Sequence, residues 1–295
     1  FMLNANILQK HWQKLEAKKT APKFVKKINT LEFSELKKAI DNKNIFYVKN
    51  LTKKMYDGEA FIVRNSAKKN LKNIIIKLAK HYDKKKKSSF HKMLNGTPNF
   101  HRIINKKITK KYSLYAIKHS YFFYNWNIRT KLEKDFKDGV YRHWRYVKFL
   151  AGNKKFQYEK NIPSQHQIDR LQIVNYPHGG GELRDHVDPR KNQRIVSGLI
   201  MSKIGEDFDK GGFYFKNKNN KKINIENKLE IGDSVIFYGS IVHGVDTVDR
   251  NKKLDWKSYK GRWFIGMFVN DSDHVKNRIT AIDLTNSTNY KKIAS

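Results

Sequence analysis

The stretch 175-NYPHGGGELRDHVDP-189 concentrates residue types that bend the backbone and residue types that bind metals. It holds three consecutive glycines and two prolines in a chain that has only 16 glycines and 5 prolines. His186 and Asp188 stand two residues apart, and residues at this spacing share a face on a strand but diverge on a helix. Pro189 favours an extended backbone at Asp188. The stretch therefore predicts a turn followed by an extended segment that directs His186 and Asp188 at one metal ion.

A third ligand for this pair is found 55 residues further on (243 − 188 = 55), where His243 follows an apolar run in IFYGSIVHGVDTV. Gly244 beside it lets another backbone segment approach closely. Two imidazoles and one carboxylate on one face of an octahedral ion leave three positions open, as in non-heme Fe(II) oxygenases. A second His-x-Asp pair, His81 and Asp83, ends a helical pattern that runs into lysines, so these two side chains are expected to diverge at the surface.

The arrangement of apolar residues predicts an α+β fold with a mainly β core. From about residue 165, short β-branched or aromatic runs such as RLQIVNY, GGFYFK and GRWFIGMFVN alternate with turns, which is typical of a sandwich or jelly roll. Earlier in the chain, KNLKNIIIKLAKHYDK has helical spacing, whereas residues 44–50 and 58–65 are predicted to be strands. No linker is evident. We expect one domain, 1–295, composed of a helix-rich part (1–160), a β core (165–272) and a C-terminal tail (273–295).

Composition limits the chemistry and the partners. The chain has no cysteine, so a metal site must use His, Asp or Glu. No apolar stretch approaches the roughly 20 residues of a membrane span, no secretory signal is evident, and a cytoplasmic location is the default expectation. The net charge of +35 would attract anions such as nucleic acid, an anionic surface or an acidic substrate. The excess of lysine with plentiful Asn and Ile is equally typical of an AT-rich coding sequence.

The open metal positions suggest a chelating co-substrate. If it is 2-oxoglutarate, the keto-acid end binds iron and the far carboxylate needs a cation, for which the planar guanidinium of arginine is favoured. Arg262 opens the apolar run GRWFIGMFVN, where strand alternation places it on one face with Phe264, Gly266 and Phe268. Arg250 is the rival, but its setting, DTVDRNKKLD, indicates an exposed loop.

Four motifs in this order resemble those of the iron(II)/2-oxoglutarate-dependent dioxygenase superfamily, and most closely its prolyl and lysyl hydroxylase-like branch. They are YPHGGGELRDHVD, GGFYF, LEIGDSVIFYGSIVHGV and KGRWFIGMFV, within residues 170–270. The resemblance implies a double-stranded β-helix (jelly roll). It also implies that His186, Asp188 and His243 ligate iron, that Arg262 binds the far carboxylate of 2-oxoglutarate, and that Tyr176 adds a hydrogen bond to it. DRNKKLDWKSYK, before Arg262, is an inserted loop relative to the branch.

The function that follows is that of a hydroxylase. Fe(II) and 2-oxoglutarate would activate O2 to hydroxylate an unactivated C–H bond, with release of succinate and CO2. By the same resemblance, the carboxylate of Asp188 favours hydroxylation over halogenation. Phe268 occupies the place where the nucleic-acid demethylases of the superfamily carry a second arginine, which counts against that activity.

The substrate is left open by the sequence. A small molecule, a glycan or a peptidyl group would fit, an anionic one is favoured by charge alone, and nucleic acid is less favoured. Two alternatives stay open. One is a cupin-type metal dioxygenase that does not use 2-oxoglutarate, and the other is a non-catalytic basic module that binds nucleic acid or an anionic surface.

Overall fold

The computed structural model describes residues 4–85 and 87–285. Its helices precede its main sheets along the chain. In the described residues the helices are α1 (Ala5–Glu16), α2 (Phe33–Asp41), α3 (Ile45–Tyr56), α4 (Leu71–Lys85) and α5 (Lys131–Leu150). The strands are β1 (Lys27–Glu32), β2 (Glu59–Arg64), β3 (Phe100–Ile104), β4 (Ala116–Tyr124), β5 (Gln167–Pro177), β6 (Glu182–Val187), β7 (Ile195–Ile200), β8 (Gly212–Lys216), β9 (Lys222–Asn224), β10 (Ser234–Tyr238), β11 (His243–Asp246), β12 (Gly261–Asp271) and β13 (Ile282–Asp283).

Strands β5 to β12 are distributed between two sheets that the chain visits in turn. One sheet has the order β10-β7-β12-β5, and the other has the order β6-β11-β8-β9. The chain places β5 in the first sheet, β6 in the second, β7 in the first, β8 and β9 in the second, and then β10, β11 and β12 alternately. This alternation winds a double-stranded β-helix, a jelly roll with a cavity between its sheets. The predicted fold class is confirmed.

The strands that line the cavity are held in register by long ladders. β12 pairs with β5 along its whole length, from Gly261 opposite Pro177 to Asp271 opposite Gln167. β4 pairs with β5 over residues 119–124 and with the start of β6 at Ala116 and Ile117, so it joins the two sheets. Because side chains alternate along a strand, this register decides which residues of β4, β5 and β12 face the cavity.

The helix-rich part covers the other face of the first sheet. Its largest apolar cluster joins Leu171 of β5 and Ile265 of β12 to Val140 and Trp144 of α5. α5 begins at a capping box in which Thr130 accepts from the Glu133 backbone and the Glu133 carboxylate accepts from the Thr130 backbone. One face of the sheet is therefore buried against helices, and the opposite face is left for the cavity.

One predicted element has the wrong type. Residues 44–50 were expected to form a strand, but they begin α3, which starts after Asn44 and continues to Tyr56. The Asn44 side chain accepts from the Tyr47 backbone as an N-cap, and buried Val48, Leu51 and Met55 follow at helical spacing. The run NIFYVKN is too short to reveal this periodicity, which continues beyond it. The predicted strand at 58–65 and the helix KNLKNIIIKLAKHYDK correspond to β2 and α4.

Two further segments bear on the site. The inserted loop, residues 249–260, lies between β11 and β12 without helix or strand. In the predicted C-terminal tail, β13 pairs with β6, while residues 286–295 lie outside the described residues. Across the described part of the chain, none of the helices combines the length and the apolar character that crossing a membrane requires.

Candidate metal centre and its cavity

The structure brings the three predicted ligands together at adjacent strand ends. His186 of β6 lies directly opposite His243 of β11 in an antiparallel pair. Asp188 follows the end of β6, and its backbone N–H donates to Gly239 O at 2.9 Å. One ligand atom from each of the three side chains lies within 4.8 Å of the others. The His-x-Asp spacing and the distal histidine therefore meet in space, as an ion held by all three requires.

Backbone carbonyls orient both imidazoles. His186 Nδ1 is 2.9 Å from Arg184 O, and His243 Nδ1 is 2.9 Å from Ile241 O. A carbonyl can only accept, so each Nδ1 carries the proton and each Nε2 keeps its lone pair. The ring centroids are 4.2 Å apart with a 49° angle between the planes, and His243 Nε2 lies 3.3 Å from Asp188 Oδ2. Both free nitrogens are thus available to one ion.

The protonation states also suit a cation. Burial lowers the pKa of His186 to about 4, so its imidazole is neutral at pH 7. Burial alone would raise the pKa of Asp188, but its polar surroundings, including the charge of Lys118, outweigh it, and the pKa lies below its usual value. A neutral imidazole and an ionised carboxylate are the forms that bind metals.

Close backbone contacts explain two of the glycines. Gly179 has a φ of +80°, and a Cβ there would lie 2.3 Å from Lys253 O in the inserted loop. A Cβ at Gly244 would lie 2.7 Å from Leu183 O in the neighbouring strand. The glycine turn lets the inserted loop pack directly upon it, and Gly244 lets β11 approach β6 next to the ligands.

Arg262 is buried with an acidic partner that sequence reasoning missed. Arg262 is 2% exposed and Glu226 is 1% exposed, and Arg262 Nε donates to Glu226 Oε2 at 2.8 Å. Glu226 also accepts from the backbone N–H of Phe213 at 2.6 Å. The outer guanidinium nitrogens of Arg262 make no hydrogen bond to any residue in the described ranges. Glu226 therefore fixes the guanidinium group and leaves its outer edge open to a planar anion.

Tyr176 supplies a buried hydroxyl that lacks a partner. It lies opposite Arg262 in the β5–β12 ladder, and its ring stacks on Phe264 with centroids 5.9 Å apart. Its Oη is buried and has no hydrogen-bond partner among the described residues. Burial raises the pKa of Tyr176 well above its usual value, so the hydroxyl keeps its proton and can donate. An orphaned buried donor beside Arg262 fits a carboxylate bound at this end of the cavity.

These groups share one cavity of about 330 Å³ between the two sheets. Besides Arg278, the sequence analysis missed two cations on strands of its lining, Lys118 of β4 and Arg170 of β5. Burial, and to a lesser degree the charge of Arg170, lowers the pKa of Lys118 to about 8, although Asp188 acts to raise it. The alternation of β4 and β5 could have placed both residues on the cavity face, but only the ladder register shows that these faces adjoin the metal centre.

The structure contains a second cluster of the same residue types, Asp83, His101 and His119. The rings of His101 and His119 lie 8° from parallel, and His101 Nε2 is 2.9 Å from His119 Nδ1. His101 Nδ1 is 3.3 Å from Asp83 Oδ1. Because His101 Nε2 and His119 Nδ1 hydrogen-bond each other, these two atoms are not free for an ion, unlike the Nε2 atoms of His186 and His243. His81 does not belong to this cluster, whereas Asp83, which was expected at the surface, does.

Comparisons with known proteins give likenesses of shape. No family model and no curated protein matches the chain. The full-length Neurospora crassa thymine-7-hydroxylase in complex with alpha-KG is 14% identical over 90% of this chain and 95% of its own, with a TM-score of 0.48. A Pseudomonas putida prolyl-4-hydroxylase is 10% identical over 71% and 91%, with a TM-score of 0.45. The structure of JOX2 with 2OG, Fe and JA is 11% identical over 91% and 85%, also at 0.45. At these identities the chemistry has to be argued from the site.

Proposed function

We propose that the chain is an Fe(II)/2-oxoglutarate-dependent oxygenase that hydroxylates an unactivated C–H bond. The observation that carries the proposal is the meeting, in one cavity, of the His186, Asp188 and His243 ligand atoms with the open edge of Arg262. Two imidazoles and a carboxylate suit Fe(II) and leave positions open for a chelating co-substrate. A cupin-type dioxygenase without 2-oxoglutarate has no use for a buried arginine with a free outer edge.

Each group has a task that its surroundings support. His186, Asp188 and His243 would hold iron through Nε2, a carboxylate oxygen and Nε2. Arg262, fixed by Glu226, would pair with the far carboxylate of 2-oxoglutarate, and Tyr176 Oη would donate to the same group. Glu226 offsets the charge of Arg262, so the pair offers little net positive charge to the co-substrate. Lys118 would supply positive charge nearby. When bound, iron and 2-oxoglutarate supply the activation of O2, and the apolar walls of the cavity limit access of bulk water.

The substrate class follows from the cavity only in outline. The remaining cations of the lining favour an anionic small molecule or peptidyl group, and the enclosed shape disfavours duplex nucleic acid. We infer that residues 165–272 carry the chemistry within one domain and that residues 1–160 support it. A cytoplasmic location stays a prediction.

The proposal is tested by anaerobic titration of the metal-free protein with Fe(II) and then 2-oxoglutarate. We expect the weak visible charge-transfer band of an iron-bound keto acid. His243→Ala should abolish the band, and Arg262→Gln should require at least about tenfold more 2-oxoglutarate, the cost of losing a charge-assisted pair. His101→Gln is the matched control, since it removes a buried histidine of the other cluster and should leave the band unchanged.

The same titration separates the alternatives. Iron binding without a band at any 2-oxoglutarate concentration would favour the cupin-type enzyme. Absence of iron binding would favour the basic module. Its affinity for nucleic acid should fall steeply as the salt concentration rises and should not depend on iron.

A further inference from the structure

The cavity carries a second arginine, the half-buried Arg170, at the end away from Arg262. Arg170 and Tyr176 lie on the same face of β5, six residues apart, which is about 20 Å along a strand. In the ladder with β12, Tyr176 lies opposite Arg262, whereas Arg170 lies opposite Phe268. The two arginines therefore mark opposite ends of one cavity.

Arg170 has no acidic partner among the described residues. Its only hydrogen bond to them is a long one, from Nη2 to Gln172 Oε1 at 3.4 Å, and its buried Nε has no acceptor. By contrast, Arg64, Arg145, Arg194 and Arg262 each pair with a carboxylate. The side chain is half-buried, but its Nε is fully buried without an acceptor, and a bound anion would supply the partner that this donor lacks.

Aromatic rings hold the guanidinium group on two sides. Arg170 Cζ lies 5.3 Å from the ring centroid of Phe122 and 5.1 Å from that of Phe268. Cation–π contacts of this kind help to hold the guanidinium group but supply no hydrogen-bond acceptor. The donors of the guanidinium group are therefore left for a ligand, and their planar fork matches a planar carboxylate better than a tetrahedral group.

The acids near Arg170 are engaged by other groups, among them Asp271 of the cavity lining, which accepts from the side chains of Gln167 and Asn192. Arg278 and Lys118 line the same cavity, and both interact electrostatically with Arg170. The nearby acid, Asp273, is already engaged, because it pairs with Arg278 at 3.3 Å and accepts from the Met93 backbone at 2.5 Å. Tyr112 and Tyr124 are the other ionisable neighbours of Arg170. None of these groups supplies a free anion.

The lining between Arg170 and the metal centre is mostly apolar, with Gln172 of β5 as a polar member. Phe122 of β4, Val174 of β5 and Phe264 of β12 face this space. A ligand that reached from Arg170 to the iron ligands would have a charged end and an apolar body.

We propose that Arg170 anchors the carboxylate of a small-molecule substrate whose apolar body extends along the cavity to the metal centre. This inference rests on the proposed oxygenase function, because only then is the bound ligand a substrate. Binding of the carboxylate by Arg170 needs neither iron nor 2-oxoglutarate. It names the substrate as an amphiphilic carboxylic acid, and it assigns substrate specificity to Arg170, with Phe122 and Phe268 as positioning residues.

The test compares octanoate, octanamide and octyl phosphate by calorimetric titration of the full chain, first without and then with Fe(II) and 2-oxoglutarate under anaerobic conditions. The wild type should bind octanoate more tightly than octanamide, and Arg170→Gln should weaken octanoate binding by roughly 10- to 100-fold. Arg170→Lys should give an intermediate loss, and it keeps a charged variant available if the glutamine variant does not fold. Arg102→Gln is the matched control, because Arg102 also stacks on two rings, Phe90 and Tyr112, but does not line the cavity.

Three results would overturn the inference. They are equal octanoate binding by wild type and Arg170→Gln, a preference for octanoate that disappears only in Arg262→Gln, and tighter Arg170-dependent binding of octyl phosphate than of octanoate. An Arg170-dependent preference without the charge-transfer band would support the anchor while refuting the oxygenase. A band without that preference would refute the anchor alone.

Discussion

The two His/His/Asp clusters contain the same types of side chain, but the ring nitrogens of their histidines contact different groups. In the cluster of His186, Asp188 and His243, carbonyls occupy each Nδ1 and leave each Nε2 free. In the cluster of Asp83, His101 and His119, the two imidazoles hydrogen-bond each other. A centre that binds an ion needs ligands oriented from behind, whereas a structural network satisfies its ligands internally. Composition alone does not distinguish the two.

The second cluster fastens the inserted loop. Asp83 accepts from the hydroxyls of Tyr121 at 3.0 Å and Tyr259 at 2.9 Å, and Trp256 lies edge-on to His119 with ring centroids 5.2 Å apart. Tyr259 and Trp256 belong to the loop that precedes Arg262. The network therefore ties α4, β3 and β4 to the segment that leads into the candidate co-substrate site.

The largest difference between the clusters should appear on adding metal. Fe(II) at 100 times its dissociation constant should stabilise the wild type by about 2.7 kcal/mol. His243→Ala should lose this gain entirely, and His101→Gln should keep it. Anaerobic thermal unfolding with and without Fe(II) measures both. A metal-dependent gain that disappears in His101→Gln and survives in His243→Ala would reverse the assignment of the two clusters.

Replacing Arg262 should reduce the free energy of unfolding as well as the affinity for 2-oxoglutarate. Arg262→Gln leaves the buried carboxylate of Glu226 unpaired, and breaking a buried pair in this way costs about 3–5 kcal/mol. The double variant Arg262→Gln, Glu226→Gln should recover much of that loss in urea unfolding but should not recover 2-oxoglutarate binding. Recovery of both would show that Arg262 is only structural.

The second cluster should make stability depend on pH. Burial lowers the pKa values of His101 and His119 to about 4. Their unfolded pKa is about 6.5, so between these values the unfolded chain binds more protons, and stability falls as pH falls. Each histidine contributes stability that is fully present above pH 6.5. Wild type should lose about 2 kcal/mol more than His119→Gln between pH 7 and pH 5 in urea unfolding. Equal losses would show that His119 titrates normally.

The smallest expected effect is that of the carboxylate in the second cluster. Asp83→Asn weakens the charge-assisted hydrogen bonds from Tyr121 and Tyr259 and should cost about 1–2 kcal/mol of stability at pH 7. Asp57→Asn is a comparison at an exposed ion pair with Lys53 and should have little effect. Unchanged iron binding in Asp83→Asn is expected, and its loss would contradict the separation of the two clusters.

Local pattern was enough to predict much of the site. The spacing of His186 and Asp188 defines a shared face once the segment is extended, and β12 alternates as GRWFIGMFVN indicates. The strand predicted for residues 44–50 was wrong because so short a segment fits a strand as well as a helix. The residues that show the helical spacing, Leu51 and Met55, lie in the continuation of α3.

The sequence by itself determined the residues that can bind a metal and the absence of thiolates. Only the tertiary structure decided which cations stand around the metal. Glu226 meets Arg262 across 36 residues, and Arg170 meets Phe122 and Phe268 across three strands. The physical reason is that periodicity specifies the face a side chain takes on its own element. The partner on that face depends on which strands pair and in which register, and that is a property of the whole chain.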